Sequence, residues 1–255
     1  MGICSSTDKE PKNDSSNPST NLLSEILERK SEKLSHYGVP TSTEAFKAIS
    51  MNNFEIIKLL GQGSTGKIYL VSKKMSNPKS YFAIKVIDKQ LASSQNLQSY
   101  LQNERVILQY NSCPFLAKLS FSFQSAEKLF LGIEYLAGGD LFFHLSRGVF
   151  FTESAIRVYV AELVLALEYL HGNQVVYRDL KPENILFGKD GHVKLVDFGL
   201  SKYILKNQTP VCFTNCGSPE YVAPEVIRNE AYDEKVDWWS LVIGRKNLNS
   251  GGHFV

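Results

Sequence analysis

The run Val176-Tyr177-Arg178-Asp179-Leu180-Lys181-Pro182-Glu183-Asn184, followed thirteen positions after Asn184 by Asp197-Phe198-Gly199, restricts the fold more than any other part of the chain. Ile185-Leu186-Phe187 and Val193-Lys194-Leu195-Val196 read as short strands on either side of the turn Gly188-Lys189-Asp190-Gly191. Such a hairpin sets the distance between Asn184 and Asp197. Within the loop, an aspartate, a lysine two positions on and an asparagine five on supply a proton acceptor, a cation and a metal-binding amide. That set suits phosphoryl transfer, whose transition state spreads negative charge over several oxygens and responds to in-line positioning and placed cations. No Ser/His or Cys/His nucleophile arrangement is required.

The loop resembles that of eukaryotic protein kinases. Lys181 resembles the serine/threonine version, and Tyr177, where most kinases carry His, points to the AGC group, the relatives of protein kinases A, G and C. The resemblance implies an α+β, bilobal fold with a small β-rich amino-terminal lobe and a mainly helical carboxy-terminal lobe. It implies ATP and Mg²⁺ as cofactors, Asp179 as acceptor of the substrate hydroxyl proton, Lys181 at the γ-phosphate, and Asn184 and Asp197 as magnesium-holding residues.

At 255 residues, with 43% hydrophobic and 21% charged residues, the chain can bury the core of one two-lobed unit. A net charge of +2 is too mild to argue for nucleic acid as a partner. Cys4, Cys113, Cys212 and Cys216 lack zinc-site spacing and suggest no disulfide framework, so a reducing cytoplasm is the simplest compartment. No apolar run is long enough to span a bilayer, and no signal peptide is seen.

Met1-Gly2-Ile3-Cys4-Ser5-Ser6 matches the N-myristoylation pattern at Gly2. One myristoyl chain binds membranes at only roughly 10⁴ M⁻¹, and Cys4 offers a palmitoylation site as the second anchor. A peripheral membrane location through acylation is therefore expected. Thr7 to Thr20 is polar and reads as a tether, and Leu22, Leu23, Ile26, Leu27 and Leu34 recur at helical spacing after a capping Asn21. Residues 1–53 thus form an acylated arm with a short amphipathic helix, expected to pack on its own domain rather than on lipid.

The catalytic domain is expected over 54–241, divided near 134/135 into two lobes. Phe54 to Leu60, Gly61-Gln62-Gly63-Ser64-Thr65-Gly66 and Lys67 to Val71 read as strand, glycine loop, strand. A dinucleotide-binding loop would be followed by a helix instead. By resemblance, the nucleotide meets Leu60, Gly61, Gln62, Gly63, Ser64, Gly66, Ile68 and Ala83. Lys85, on the strand Tyr81 to Ile87, takes the α- and β-phosphates and pairs with Glu104 on a helix expected from Leu97 to Gln109. The backbone of Glu134 and Leu136 bonds adenine, with Ile133 limiting the pocket behind. Asp140 meets the ribose and forms with Glu183 an acidic subsite for arginines near the target Ser or Thr of a protein substrate. Asp140 also reads simply as a helix cap.

Thr152 caps a long helix with the stripe Ile156, Tyr159, Val160, Leu163, Val164, Leu167 and Leu170, and His171 at its end reads as structural. Thr214-Asn215-Cys216-Gly217-Ser218-Pro219-Glu220-Tyr221 and Ala223-Pro224-Glu225 resemble the AGC activation segment. Thr214 is then the site of an upstream activating kinase, its phosphate pairing with Arg178 and Lys202, and Ser218 stands where the family usually has Thr. The likeness stops near Leu241. Glycine and polar breakers in 242–255 are expected to end the last helix, leaving the lobe truncated and Glu225 a buried carboxylate without its usual arginine, at a cost of about 3–5 kcal/mol. The alternative to an enzyme is accordingly an inactive fragment acting as a binding or competitor module.

Overall fold

A computed structural model describes residues 49–63, 66–94, 97–204, 212, 214 and 216–249. Gly2, Cys4, the expected amphipathic helix and Ser64 lie outside the described residues.

Five strands build the first lobe: β1 Phe54–Gly63, β2 Gly66–Lys73, β3 Tyr81–Asp88, β4 Leu119–Gln124 and β5 Lys128–Glu134. They pair antiparallel in the order β1-β2-β3-β5-β4. Alternation gives the sheet two apolar faces. Phe54, Val71, Ile84 and Phe130 are buried on one, where Phe54 stacks on Phe121 at 4.9 Å and Phe123 on Phe130 at 4.6 Å. The other carries Ile87 and Leu131 into the main core beside Leu101 and Leu108 of the helix α2, Gln98–Tyr110, which follows the short α1, Lys89–Ser94. Gly66 lets the β1–β2 flap return close to β3: a Cβ there would sit 2.1 Å from the Val86 carbonyl oxygen.

The second lobe starts with α3, Leu141–Ser146, and α4, Glu153–Gly172. Thr152 caps α4 by accepting the Ala155 N–H at 3.2 Å, and Ile156, Leu163, Leu167 and Leu170 are buried as the periodicity requires. β6, Val175–Val176, pairs with β9, Lys202–Tyr203, while β7, Ile185–Phe187, pairs with β8, Val193–Leu195. α5, Pro224–Ile227, and α6, Lys235–Asn249, complete the described chain.

The expectation that glycine and polar breakers end the last helix after Leu241 is corrected over 242–249: α6 continues through Gly244 as far as Asn249. An interior glycine costs only about 1 kcal/mol relative to alanine. Leu241 and Leu248, two turns apart, are both buried in the main core, and burying a leucine contributes about 1.5–3 kcal/mol. Burial outweighs the glycine, and the helix holds. Among the described residues no helix is long and apolar enough to cross a membrane.

Candidate active site

The loop from Val176 to Asn184 is suspended from α6. Asp237, fully buried, accepts the main-chain N–H groups of Tyr177 at 2.9 Å and Arg178 at 2.7 Å, and its carboxylate also meets His171 Nε2 at 2.7 Å. This anchor is needed because Arg178 has φ of 69°, a left-handed conformation that costs an ordinary residue about 1–2 kcal/mol. Two hydrogen bonds to a carboxylate offset that strain and aim the next side chain, Asp179, into the cleft.

Around Asp179 the predicted residues converge. Lys181 Nζ lies 2.9 Å from its Oδ2, and Asn184 Nδ2 donates both to that oxygen and to the Asp179 carbonyl, each at 2.9 Å. Lys181 also donates to Ser218 Oγ at 2.9 Å, and Ser218 in turn donates to Asp179 Oδ1 at 3.4 Å. Burial pushes the Asp179 carboxyl above its usual value, against the pull of Lys181 and Asn184. A raised carboxylate is the better proton acceptor.

Across the cleft, Lys85 on β3 stands between two carboxylates, 2.7 Å from Glu104 Oε1 on α2 and 3.0 Å from Asp197 Oδ1. Burial alone would lower the Lys85 ammonium's value, but Asp197 and Glu104 outweigh it and raise it. Asp197 is held below its usual value chiefly by Lys85, and its turn, at φ of 55°, is closed by the Gly199 N–H donating to Oδ1 at 3.2 Å. Glu104 is pushed up by burial and drawn back by Lys85.

The hairpin joins the two clusters. Val196 N–H donates to the Asn184 carbonyl at 3.0 Å, and the Tyr177 hydroxyl donates to the Val196 carbonyl at 2.5 Å. Asn184 and the residue before Asp197 are therefore bonded to each other directly. With the Asn184 NH₂ committed to Asp179, its side-chain Oδ1 is the atom left for a hard cation, and the Val196–Asn184 bond ties it to the residue before Asp197. One carboxylate, one amide oxygen and substrate phosphates are the donors magnesium takes, and among the described residues no cluster of three or more His, Cys, Asp or Glu forms an all-protein cage. The donor set fits Mg²⁺ on a nucleotide.

Above the cleft the flap is open: a Cβ at Gly61 or Gly63 would meet nothing within 4 Å. Gly61 pairs with Ile68, Ile68 with Lys85, and Ala83 with Ile133, so these residues share the face of the sheet that carries Lys85. Leu60 is exposed at the edge and Leu136 is buried just past β5. The Glu134 carboxylate is engaged by Lys194 Nζ at 2.9 Å and by the Lys118 N–H at 2.9 Å. Asp140 caps α3, accepting the Phe143 N–H at 2.6 Å, and Glu183 is exposed in a 3₁₀ turn.

Arg178 reaches from the loop towards Leu200 and Tyr232. Its Nε donates to the Leu200 carbonyl at 2.7 Å and its Nη1 to the Tyr232 hydroxyl at 3.2 Å, whereas Nη2 is buried with no hydrogen-bond partner among the described residues. Tyr232 donates onward to the Thr214 carbonyl at 2.7 Å, so Thr214 is held by its main chain. Lys202 is half-buried in β9, opposite Val176. Glu225 departs from expectation: it is half-buried rather than buried and makes no ion pair among the described residues, so the cost assigned to an unpaired interior carboxylate does not apply in full. Sequence reasoning missed Asp237 and Tyr232. An acid flanked by Val236 and Trp238 on an apolar helix was the available signal for the first.

The protein kinase domain family matches residues 54–250, and the chain belongs to that family. The chain's relatives include serine/threonine-protein kinases of the RAC family. It is 45% identical to the RAC-beta serine/threonine-protein kinase of Rattus norvegicus over 78% of this chain and 41% of that protein. It is also 45% identical to RAC-beta serine/threonine-protein kinase A of Xenopus laevis, over 76% of this chain and 39% of the relative. A RAC family serine/threonine-protein kinase homolog of Dictyostelium discoideum shows 45% identity over 76% and 43% of the two chains. The chain spans about two-fifths of the length of these relatives.

Proposed function

We propose that this chain transfers the γ-phosphate of Mg-ATP to serine or threonine hydroxyls of proteins, rather than serving as an inactive binding fragment. The observation that carries the reading is the simultaneous contact of Lys85 with Glu104 and Asp197, from three separate elements, opposite an assembled Asp179–Lys181–Asn184 cluster. Asp179 accepts the substrate proton, Lys181 steadies the transferred group, Lys85 orients the nucleotide phosphates, and the backbone of Glu134 and Leu136 holds the adenine. Magnesium held at Asn184 and Asp197 supplies charge neutralisation on the phosphates. Asp140 and Glu183 favour substrates with basic residues near the target hydroxyl. Phosphorylation of Thr214 by an upstream kinase regulates the site, supported by the chain of hydrogen bonds from the Arg178 guanidinium through the Tyr232 hydroxyl to the Thr214 carbonyl. Acylation at Gly2 and Cys4 places the protein on a cytoplasmic membrane face. The chain's path supports this placement: it reaches β1 beside the exposed basic turn of Lys73, Lys74 and Lys79, where the Lys74 N–H bonds the Asn53 carbonyl at 2.9 Å.

Thermal melting of the full chain with and without Mg-ATP, with phosphorylation of a basic peptide by wild type and Asp197→Ala, tests the reaction. Stabilisation by nucleotide and turnover lost in the variant are expected; a cooperatively folded chain indifferent to Mg-ATP would overturn the assignment. Thr214→Ala should abolish activation by an upstream kinase, and Gly2→Ala should move the protein from membrane to soluble fractions.

A further inference from the structure

Behind the cleft, at the closed end of the β7–β8 hairpin, lies a polar contact that the transfer reaction does not use. Glu162, on α4, is buried, yet it is an acid in the middle of an apolar stripe. Its Oε1 meets His192 Nδ1 at 2.5 Å and its Oε2 accepts the Val193 N–H at 2.9 Å. One carboxylate from the lobe's central helix therefore grips two successive residues at the point where the turn enters β8. The His192 ring is more than half exposed, so its cation stays hydrated while its Nδ1 proton points inward. From this grip the strands run three residues each, about 10 Å, to the open end, where Val196 bonds Asn184. A buried acid is kept in such a place only when paired, and here the pairing fixes the register of the two strands that carry the metal-binding side chains.

We propose that Glu162 and His192 are positioning residues for the Asn184–Asp197 pair: by clamping the hairpin at its turn they fix the spacing of the two groups that hold magnesium. The proposal rests on the Mg-ATP reading only for its consequence, not for the clamp itself. The contact is charge-assisted, so its strength follows the protonation of His192. Glu162 from α4 and Asp190 within the turn are the charged groups acting on His192, and the Phe115 ring lies 6.5 Å away. The Glu162 hydrogen bond and charge raise the His192 value above that of a free imidazole. The stabilisation is therefore complete below the free-imidazole value and is lost as pH rises through the raised folded value.

The test uses the full chain as wild type, His192→Ala and His192→Lys, the last keeping a cation that does not titrate near neutrality. Amide hydrogen exchange over 185–196 without nucleotide reads the clamp. The Mg²⁺ concentration at half-maximal ATP-induced melting shift, at acidic and alkaline pH, reads its consequence; the titration of ATP is common to all variants and cancels. We expect His192→Ala to lose protection in the hairpin and to need about tenfold more Mg²⁺ at acidic pH, the low end for outer partners of a metal site. Wild type should approach His192→Ala as pH rises, and His192→Lys should match acidic wild type at both pH values. Equal protection and equal Mg²⁺ midpoints in all three overturn the proposal. Should wild type ignore Mg-ATP altogether, the nucleotide reading fails, and hydrogen exchange still decides the clamp: faster exchange in His192→Ala restored in His192→Lys sustains it, and no change removes it.

Discussion

The two polar clusters facing each other across the cleft are built on opposite plans. Asp179, Lys181 and Asn184 come from one loop of six residues and are aimed by a single buried anchor, Asp237. Lys85, Glu104 and Asp197 come from a strand, a helix and a turn up to 112 positions apart, and tertiary packing rather than local chain geometry brings them together. The lower cluster is thus a property of local chain geometry. The upper one is a property of how α2 sits on the sheet, where Leu101 and Leu108 pack beside Leu131. The Asp179 cluster is thus fixed by neighbours in sequence and the Lys85 cluster by distant parts of the chain.

The sharpest way to break this contrast is at the anchor. Asp237→Ala removes the acceptor of two main-chain N–H groups and the partner of His171, and is expected to cost about 3–5 kcal/mol in urea unfolding, a large share of the ~5–15 kcal/mol a domain possesses. Next comes the paired substitution of the two lysines. Lys85→Met leaves fully buried Glu104 beside Asp197 with no cation; about 2–3 kcal/mol of stability should be lost, the value being moderated because Glu104 can take up a proton. Lys181→Met, whose ammonium is more exposed than that of Lys85 and whose partner Asp179 can take up a proton, should cost less, about 1 kcal/mol. Both should lower peptide phosphorylation by about 10²–10³-fold. Equal unfolding energies for the two variants would erase the distinction between clusters.

Acid titration of stability separates them by sign. Asp197, held low by Lys85, contributes stability above the ordinary carboxylate value and loses it as pH falls through its depressed folded value, so Asp197→Asn should flatten the acid limb. Asp179, raised by burial, is opposed to folding while ionised and gains as it protonates, so Asp179→Asn should steepen the same limb. The smallest effect belongs to Ser218→Ala. Losing a hydroxyl shared by Lys181 and Asp179 should cost about 1 kcal/mol of orientation, read as a roughly fivefold fall in turnover with unchanged melting.

The contrast also explains what the sequence could disclose. The lower cluster and its hairpin were legible because they are contiguous and punctuated by a turn, as was α4, with a cap at one end and a clean stripe along it. Asp237 was not, since its two loop partners lie 60 and 59 positions earlier and bond through main chain, and its side-chain partner His171 lies 66 positions earlier. Glu104 was placed only through family likeness; helical periodicity alone does not select it from its neighbours. α6 was ended too early because Gly244 and the polar residues around it obscured Leu241 and Leu248, whose burial decides the matter. The short β4 and β9 escaped notice for a related reason: half-exposed strands show weak alternation.

Tyr177 is bonded at both extremities, its main-chain N–H to Asp237 and its phenol to the Val196 carbonyl. It behaves as an inextensible rod between the floor of the large lobe and the residue ahead of Asp197. A displacement of α6 is then passed through Tyr177 to the residue ahead of Asp197 at the cleft, and a shorter side chain at this position would introduce play into the linkage.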